Sequence, residues 1–262
     1  MAEQKDREDI LYLAKLAEQC DRYDEMKDFM KAATKLNMGT EPPVDERNLF
    51  SVGYKNAISH RRTSHRMLKA AEQKLINSQP EERDGTITIG TLNNYRLSVE
   101  KEIRELCNEV LHLIDEYCLP FCSSAEGKTF YFKMRGDYHR YLAEISGASE
   151  DKENSLTAYK AANDIAAQEL KATDPTRLGL ALNFSVFYYE VLNSSDRACR
   201  LAKAAFDEAI SDLDKLNETD YKDSTLIMQL LRNNLTLWTA TEHDEQIEES
   251  DNSRKNSEFD NC

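Results

Sequence analysis

From Leu92 onward the apolar side chains recur as Leu92, Tyr95, Val99, Ile103, Leu106, Val110, Leu113 and Tyr117. Steps of three and four residues line one face of an α-helix, so the pattern predicts a helix of about seven turns that ends before Pro120. The same period runs along most of the chain, interrupted by short polar seams. It predicts amphipathic helices over about residues 3–20, 23–37 and 44–77. Gly39 and the Pro42-Pro43 pair punctuate the second boundary, and "SQPEERDGTITIG", residues 78–90, reads as a loop. "SSAEGK", Gly147, Asp174-Pro175, Asn193 to Asp196 and Asn217 to Asp220 mark the later seams. The expected fold is all-α, with about nine antiparallel helices in a single domain over residues 1–240. No internal period of about 20 to 50 residues is visible, which speaks against a repeat array. From Thr241 to Cys262 the apolar content nearly vanishes and acids abound, so a disordered acidic tail is expected there.

Composition sharpens this picture. Only 8 glycines and 5 prolines occur in 262 residues, few breakers for a chain of this length. The formal net charge of -14 argues against nucleic acid and against an anionic membrane as partner. A charged beginning, "MAEQKDREDI", predicts no secretory signal, and no run of about 18 apolar residues predicts a membrane span. A cytoplasmic setting with access to the nucleus is expected. The 6 cysteines are scattered and read as reduced thiols rather than a disulfide framework. Cys118 and Cys122 flank Pro120 without a second ligand pair and read as small buried residues rather than a zinc site.

Against that acidity stands "YFKMRGDYHRYLAE", residues 131–144. Lys133 and Arg140 are seven residues apart, about 20° short of two helical turns, and share one face. In "YKNAISHRRTSHR", Lys55 and Arg62 repeat that spacing. Two such helices side by side would line a cationic pocket. Like charges repel, so the pocket would need carboxylates, an anionic ligand, or both. Asp137 is placed to pair with Lys133 or Arg140, and Tyr141 adds a neutral hydroxyl. A phosphate supplies a charge of about -1.5 to -2 and three acceptor oxygens that arginine forks match. The same spacings also suit exposed helix salt bridges, which contribute little.

Two later helices carry a second signal. In the largely apolar "GLALNFSVFYYEVL", Asn183 and Glu190 are seven apart with Val186 on the same face. In "LIMQLLRNNLTLW" the stripe is Ile227, Leu230, Asn234 and Trp238. An asparagine amide both donates and accepts, which suits the backbone of an extended peptide. The apolar members equally suit a core, with Asn234 a satisfied polar group. Signals for an enzyme are missing: no glycine-rich phosphate loop, no His-x-x-x-His, no serine elbow. His60 and His65 sit about 140° apart on a helix, poorly placed to chelate one metal. No nucleophile, cofactor or metal is called for, and the chain is not expected to be an enzyme.

Several blocks resemble the 14-3-3 proteins: "KLAEQCDRYDEM", "RNLFSVGYKN", "YFKMRGDYHRYLAE", "GLALNFSVFYYEVLNS" and "YKDSTLIMQLLRNNLTLW". The resemblance covers roughly residues 9–240, and "DRACRLAKAAFDEAI" is most similar to the epsilon-type branch. It implies a nine-helix protomer that dimerises into a cup, each groove holding an extended phosphoserine or phosphothreonine segment. By this resemblance the phosphate is bound by Lys55, Arg62, Arg140 and Tyr141, with Lys133 beside them and Asp137 in support. Asn183 and Asn234 would hold the ligand backbone, Glu190 and Trp238 make polar groove contacts, and Leu182, Val186, Ile227 and Leu230 form the apolar wall. Arg22, Glu25, Tyr95 and Glu102 match dimer-interface positions, with Arg22 and Glu102 implied as an intersubunit salt bridge. The lysine that partners Glu25 in some branches is Ser98 here.

Departures from the family cluster in residues 53–65: Gly53 for Ala, Ser59-His60 for Gly-Ala, and His65 for Trp. Histidine at a buried tryptophan position is expected to cost packing and to make the nearby interface respond to pH. Ser64 matches a position whose phosphorylation loosens dimers in some members. Asn233, which replaces an Asp, has no functional account. The expected function is a phosphopeptide-binding adaptor acting as a homodimer, or as a heterodimer with a related protein. The alternative is a helical scaffold for unphosphorylated partners.

Overall fold

The computed structural model describes residues 2–37, 39–78 and 88–259. Among them the chain forms nine α-helices and no strand. These are α1 (Ala2–Gln19), α2 (Tyr23–Lys35), α3 (Val44–Asn77), α4 (Ile89–Leu113), α5 (Ala125–Ser146), α6 (Ser149–Glu169), α7 (Pro175–Glu190), α8 (Ser195–Ile210) and α9 (Glu218–Phe259). The all-α architecture expected from the sequence is the one observed. Most of the loop expected at 78–90 falls on residues 79–87, outside the described ones. None of the described helices is long and apolar enough to cross a membrane.

Local chemistry sets the helix ends. Asp174 caps α7, its carboxylate accepting from the backbone N–H of Thr176 (2.8 Å) and Arg177 (3.2 Å), with Pro175 at the first position. Ser124 caps α5, and Gly147 ends it at φ 65°, a left-handed conformation that glycine adopts without strain. The helix predicted to reach Tyr117 stops earlier. Proline at 120 has no N–H to continue the ladder, and the chain widens into a π turn, Ile114–Cys118, then tightens into a 3₁₀ turn, Leu119–Phe121. A second 3₁₀ turn, Leu213–Lys215, lies between α8 and α9.

The backbone of α9 runs as helix to Phe259, through residues for which a disordered acidic tail is expected. Residues 241–259 contain neither glycine nor proline, and they extend a helix already nucleated by its packed part. Residues 260–262 lie outside the described ones.

Successive helices pack on one another, α5 against α6 most extensively. Three apolar clusters follow in chain order and overlap through shared helices. The first includes Met26, Tyr54, Ile103 and Met134, the second Ala143, Tyr159 and Phe184, the third Leu178, Ala202 and Trp238. Glycine makes the α5–α6 approach possible, since a Cβ at Gly136 would fall 2.7 Å from the Tyr159 ring. Ser155, fully buried, donates its hydroxyl to the Gly136 carbonyl at 2.9 Å. Cys118 and Cys122 are buried as expected, and burial pushes both thiols up to about 12.

The departures near α3 are accommodated in two different ways. Gly53 lies against the α2 backbone, where a Cβ would come within 3.3 Å of the Lys27 nitrogen. His65 is buried, and its Nε2 lies 2.9 Å from Glu100 Oε1. Glu100 also pairs with Arg96, whose Nε donates to Glu72 at 2.7 Å. A polar chain across α3 and α4 thus meets the histidine.

One carboxylate ties the segment before α3 to the start of α5. Glu41 accepts from Ser123 N (2.9 Å), Ser123 Oγ (2.8 Å), Ser124 N (2.9 Å) and the Ser124 hydroxyl. A side chain at Gly127 would run into Glu41, Cys122 and Ser124, so glycine leaves room for this carboxylate. Partial burial opposes its ionisation, but the serine hydroxyls and N–H groups outweigh that and bring Glu41 down to about 2. The folded value lies below the unfolded value of about 4.3, so the stabilisation is complete above that pH and is lost as the pH falls towards about 2. Glu41→Gln is expected to lower stability near neutrality by about 1–2 kcal/mol. The gap from the parent should close on acidification through that window, as urea unfolding at a series of pH values will show.

Candidate functional site

The Asp137 carboxylate, 5% exposed, lies at the meeting of α5, α6 and α7. Its Oδ2 accepts from Lys133 Nζ at 3.0 Å. Its Oδ1 accepts from the Tyr159 hydroxyl (2.5 Å), Asn183 Nδ2 (2.8 Å) and Arg140 Nη2 (3.3 Å). Burial alone would protonate such a group, but Lys133, Arg140 and the Tyr159 hydroxyl hold it below the usual carboxylate range. Spacing on α5 places Lys133 four residues before Asp137 and Arg140 three after, as the sequence predicts.

Arg140 is 6% exposed and is held at three nitrogens: Nε donates to Tyr159 (3.1 Å), Nη2 to Asp137, and Nη1 to Glu144 (3.4 Å). Burial works against its charge, but Tyr159, Tyr141, Asp137 and Glu144 overcome it and keep the guanidinium a cation. Arg62 reaches the same place from α3. Its Nε and Nη2 grip the two Glu144 oxygens at 2.7–3.0 Å, and its guanidinium carbon lies 4.0 Å from the Tyr141 ring centroid. Arg140 contacts that ring too, at 4.8 Å. Burial raises the Tyr141 phenol, so it remains a neutral hydroxyl. Lys55 lies two turns before Arg62 on α3, exposed, with no ion pair to a described residue. Among the described residues the ion pairs of Arg62, Lys133 and Arg140 run to two carboxylates, Asp137 and Glu144, and Lys55 has none. Cations are in excess.

The other wall comes from α7 and α9. Leu182, Val186 and Ile227 are half-buried against the third apolar cluster, and Leu230 is 45% exposed. Asn183 is joined to the cationic side through Asp137, and Glu190 is exposed at the end of α7. Asn234 is half-buried and makes no side-chain hydrogen bond to a described residue. Trp238, matched to a groove contact in the sequence, is 4% exposed and stacks on Tyr189 at 4.8 Å, so its ring is part of the core.

The residues matched to a dimer interface make contacts within the chain. Arg22 Nε donates to Glu25 at 2.7 Å, and Glu102 accepts from Arg61 Nε at 3.0 Å. Arg61 also donates to Asp24 at 2.9 Å. Tyr95 is 60% exposed. Ser64 is exposed, its hydroxyl donating to the His60 carbonyl at 3.0 Å. Two members of the site were missed in the sequence, Glu144 and Tyr159. Glu144 carries a local signal, lying four residues after Arg140; Tyr159 carries none, because its partners are on another helix.

Known proteins resemble this chain along most of its length. The family model described as 14-3-3 protein matches residues 13–239. The chain is 56% identical over 249 residues to the 14-3-3 protein epsilon of Drosophila melanogaster, covering 94% of this chain and 91% of that protein. It is 54% identical over 243 residues to the 14-3-3-like protein C of Glycine max, covering 92% of each. To the 14-3-3-like protein GF14 phi of Arabidopsis thaliana it is 54% identical over 246 residues, 93% of this chain and 90% of that one.

Removing the central acid should be costly. Asp137→Ala would leave Arg140 buried without its main carboxylate partner and is expected to destabilise the fold by about 3–5 kcal/mol, as measured by chemical denaturation.

Proposed function

The chain belongs to the 14-3-3 family, and from that premise we propose that it is an adaptor, without chemistry of its own, for proteins phosphorylated on serine or threonine. The observation that carries this reading is the convergence of Arg62 and Arg140 on Tyr141. Each guanidinium offers five N–H groups, more than Asp137, Tyr159 and Glu144 take up. Only with Lys55 and Lys133 counted do four cations against Asp137 and Glu144 leave an excess of two positive charges, which matches a phosphate of about -1.5 to -2. Lys55 and Lys133 would add point charges, and the Tyr141 hydroxyl a neutral donor. Asn183 and Asn234 would hold the backbone of the bound segment, with Leu182, Val186, Ile227 and Leu230 beside its side chains.

We take residues 1–240 as the binding domain and 241–262 as an acidic appendage. The setting proposed is cytoplasmic with access to the nucleus, with neither nucleic acid nor membrane as partner. The exposed Leu230 favours a second reading, a scaffold for unphosphorylated partners, in which the apolar wall outweighs the cations.

A dimer is proposed through the exposed Tyr12 and Leu13 of α1 and Tyr95 of α4. The partner chain would be a second copy or a related protein. Arg22 and Glu102 would exchange their partners Glu25 and Arg61 for each other across the interface. With two grooves the dimer would bind doubly phosphorylated clients by avidity.

Fluorescence anisotropy of an Arg-Ser-x-pSer-x-Pro peptide is expected to give an affinity at least about tenfold above that of the unphosphorylated peptide, with a gap that shrinks in salt. Arg62→Ala and Arg140→Ala should each abolish the gap while helicity is retained. Equal affinities for the two peptides would favour the scaffold. Sedimentation is expected to show a dimer for the parent and a monomer for Tyr95→Glu; a Tyr95→Glu dimer would refute this interface.

A further inference from the structure

Glu144 has no assigned role in the groove, yet it is the carboxylate that both arginines share. Arg62 Nη2 lies 2.7 Å from its Oε1 and 2.8 Å from its Oε2, Nε lies 3.0 Å from Oε2, and Arg140 Nη1 lies 3.4 Å from Oε1. Arg66, from the next turn of α3, approaches Oε2 at 3.8 Å. The two arginines depend on this acid unequally. Arg140 keeps Asp137 and Tyr159 if Glu144 is removed. Arg62 has no other polar partner among the described residues, only the face of Tyr141.

A carboxylate beside an anion site repels the anion, so its presence there needs a compensating role. Arginine is a long side chain with much rotamer freedom, and its planar fork is useful only when its orientation is fixed. Glu144 takes the Nε–Nη2 edge of Arg62, which leaves the Nη1 hydrogens and one Nη2 hydrogen to a ligand. It also neutralises part of the repulsion between two guanidiniums that share one tyrosine ring. We propose that Glu144 is a positioning residue for phosphate recognition, holding Arg62 in register with Arg140 so that both forks meet one tetrahedral dianion. This inference rests on the phosphopeptide reading above and adds to it the residue that aligns the site.

The sign of one change in affinity separates positioning from simple charge. Glu144→Gln keeps the size of the side chain and makes the groove more positive by one charge. If Glu144 acted only as a counter-ion, that variant would bind anions more tightly. If Glu144 positions Arg62, the variant binds phosphate more weakly despite the added positive charge. The measurement is anisotropy of the phosphorylated and unphosphorylated peptide against the full chain, Glu144→Gln and Glu144→Asp, with circular dichroism for folding. The expected result for Glu144→Gln is a loss of about tenfold or more for the phosphopeptide, the equivalent of one charge-assisted hydrogen bond, with no loss for the unphosphorylated form. Glu144→Asp, with the charge kept and the reach shortened, should recover part of the loss.

An unchanged or raised phosphopeptide affinity in Glu144→Gln overturns the proposal, as does an equal loss for both peptides, which marks a structural defect. If Glu144→Gln does not fold, Glu144→Asp decides: a selective loss for the phosphopeptide supports positioning, and parental affinity or an equal loss for both peptides overturns it. If the parent itself does not distinguish the two peptides, the phosphate reading fails and this inference fails with it. A discriminating parent with an unaffected Glu144→Gln sinks the positioning role alone.

Discussion

A buried carboxylate with four donors is the constraint on which the groove depends. Asp137 could not stay ionised at 5% exposure unless nearly every lone pair were met. Lys133, Arg140, Tyr159 and Asn183 meet that demand from three helices. Satisfying the acid fixes the relative placement of α5, α6 and α7. The same contacts orient the cations of one wall and an amide of the opposite wall. The close α5–α6 approach at Gly136 brings the Tyr159 hydroxyl within reach, so a missing side chain in one helix and a phenol in the next act as a single feature.

Helices and cationic stripes were legible in the sequence because they are periodic. Lys133, Asp137 and Arg140 form a local i,i+4 and i,i+3 pattern, and the structure pairs them in that way. The role of Arg62 was legible only in part. Its seven-residue spacing from Lys55 puts both on one face of α3, but its partner Glu144 lies 82 residues away. No local period reports which residue of a distant helix will face a given side chain. Trp238 shows the complementary limit: an aromatic residue on a groove stripe and one in the core share a single spacing, and its stacking on Tyr189 could not be read from that spacing.

Near α3, charge takes over from packing. Where the family resemblance implies a tryptophan, His65 joins a run of alternating sign, Glu100, Arg96 and Glu72, across the α3–α4 contact. Burial there is tolerated because each side chain in the run has a partner, whereas an isolated imidazole in the same place would not be. Gly53, three turns earlier, works by the opposite means and lets the α2 backbone come close. The pairs Arg22–Glu25 and Arg61–Glu102 satisfy surface charges within one chain. The proposed interface would therefore exchange ion pairs rather than create them, and exposed apolar side chains would have to supply most of its favourable energy.

The Glu41 clamp has a mechanical consequence. The pair α3–α5 is not among the closely packed helix pairs, so side chains span the gap between their backbones. At one end Glu41 holds the two serines that open α5, and Arg47 pairs with Glu126 a turn inside. Midway along α3, and near the end of α5, Arg62 pairs with Glu144. Along α3 the two ties are fifteen residues apart, about 22 Å of helix. Two rods pinned at two well-separated points resist splaying and shear far better than rods pinned at one, much as a ladder with two rungs holds its shape and one with a single rung folds flat. On this view the width of the cleft is set partly by a loop carboxylate more than 20 Å from the arginines, and slackening that distant pin would be felt in the cleft as a change of gauge.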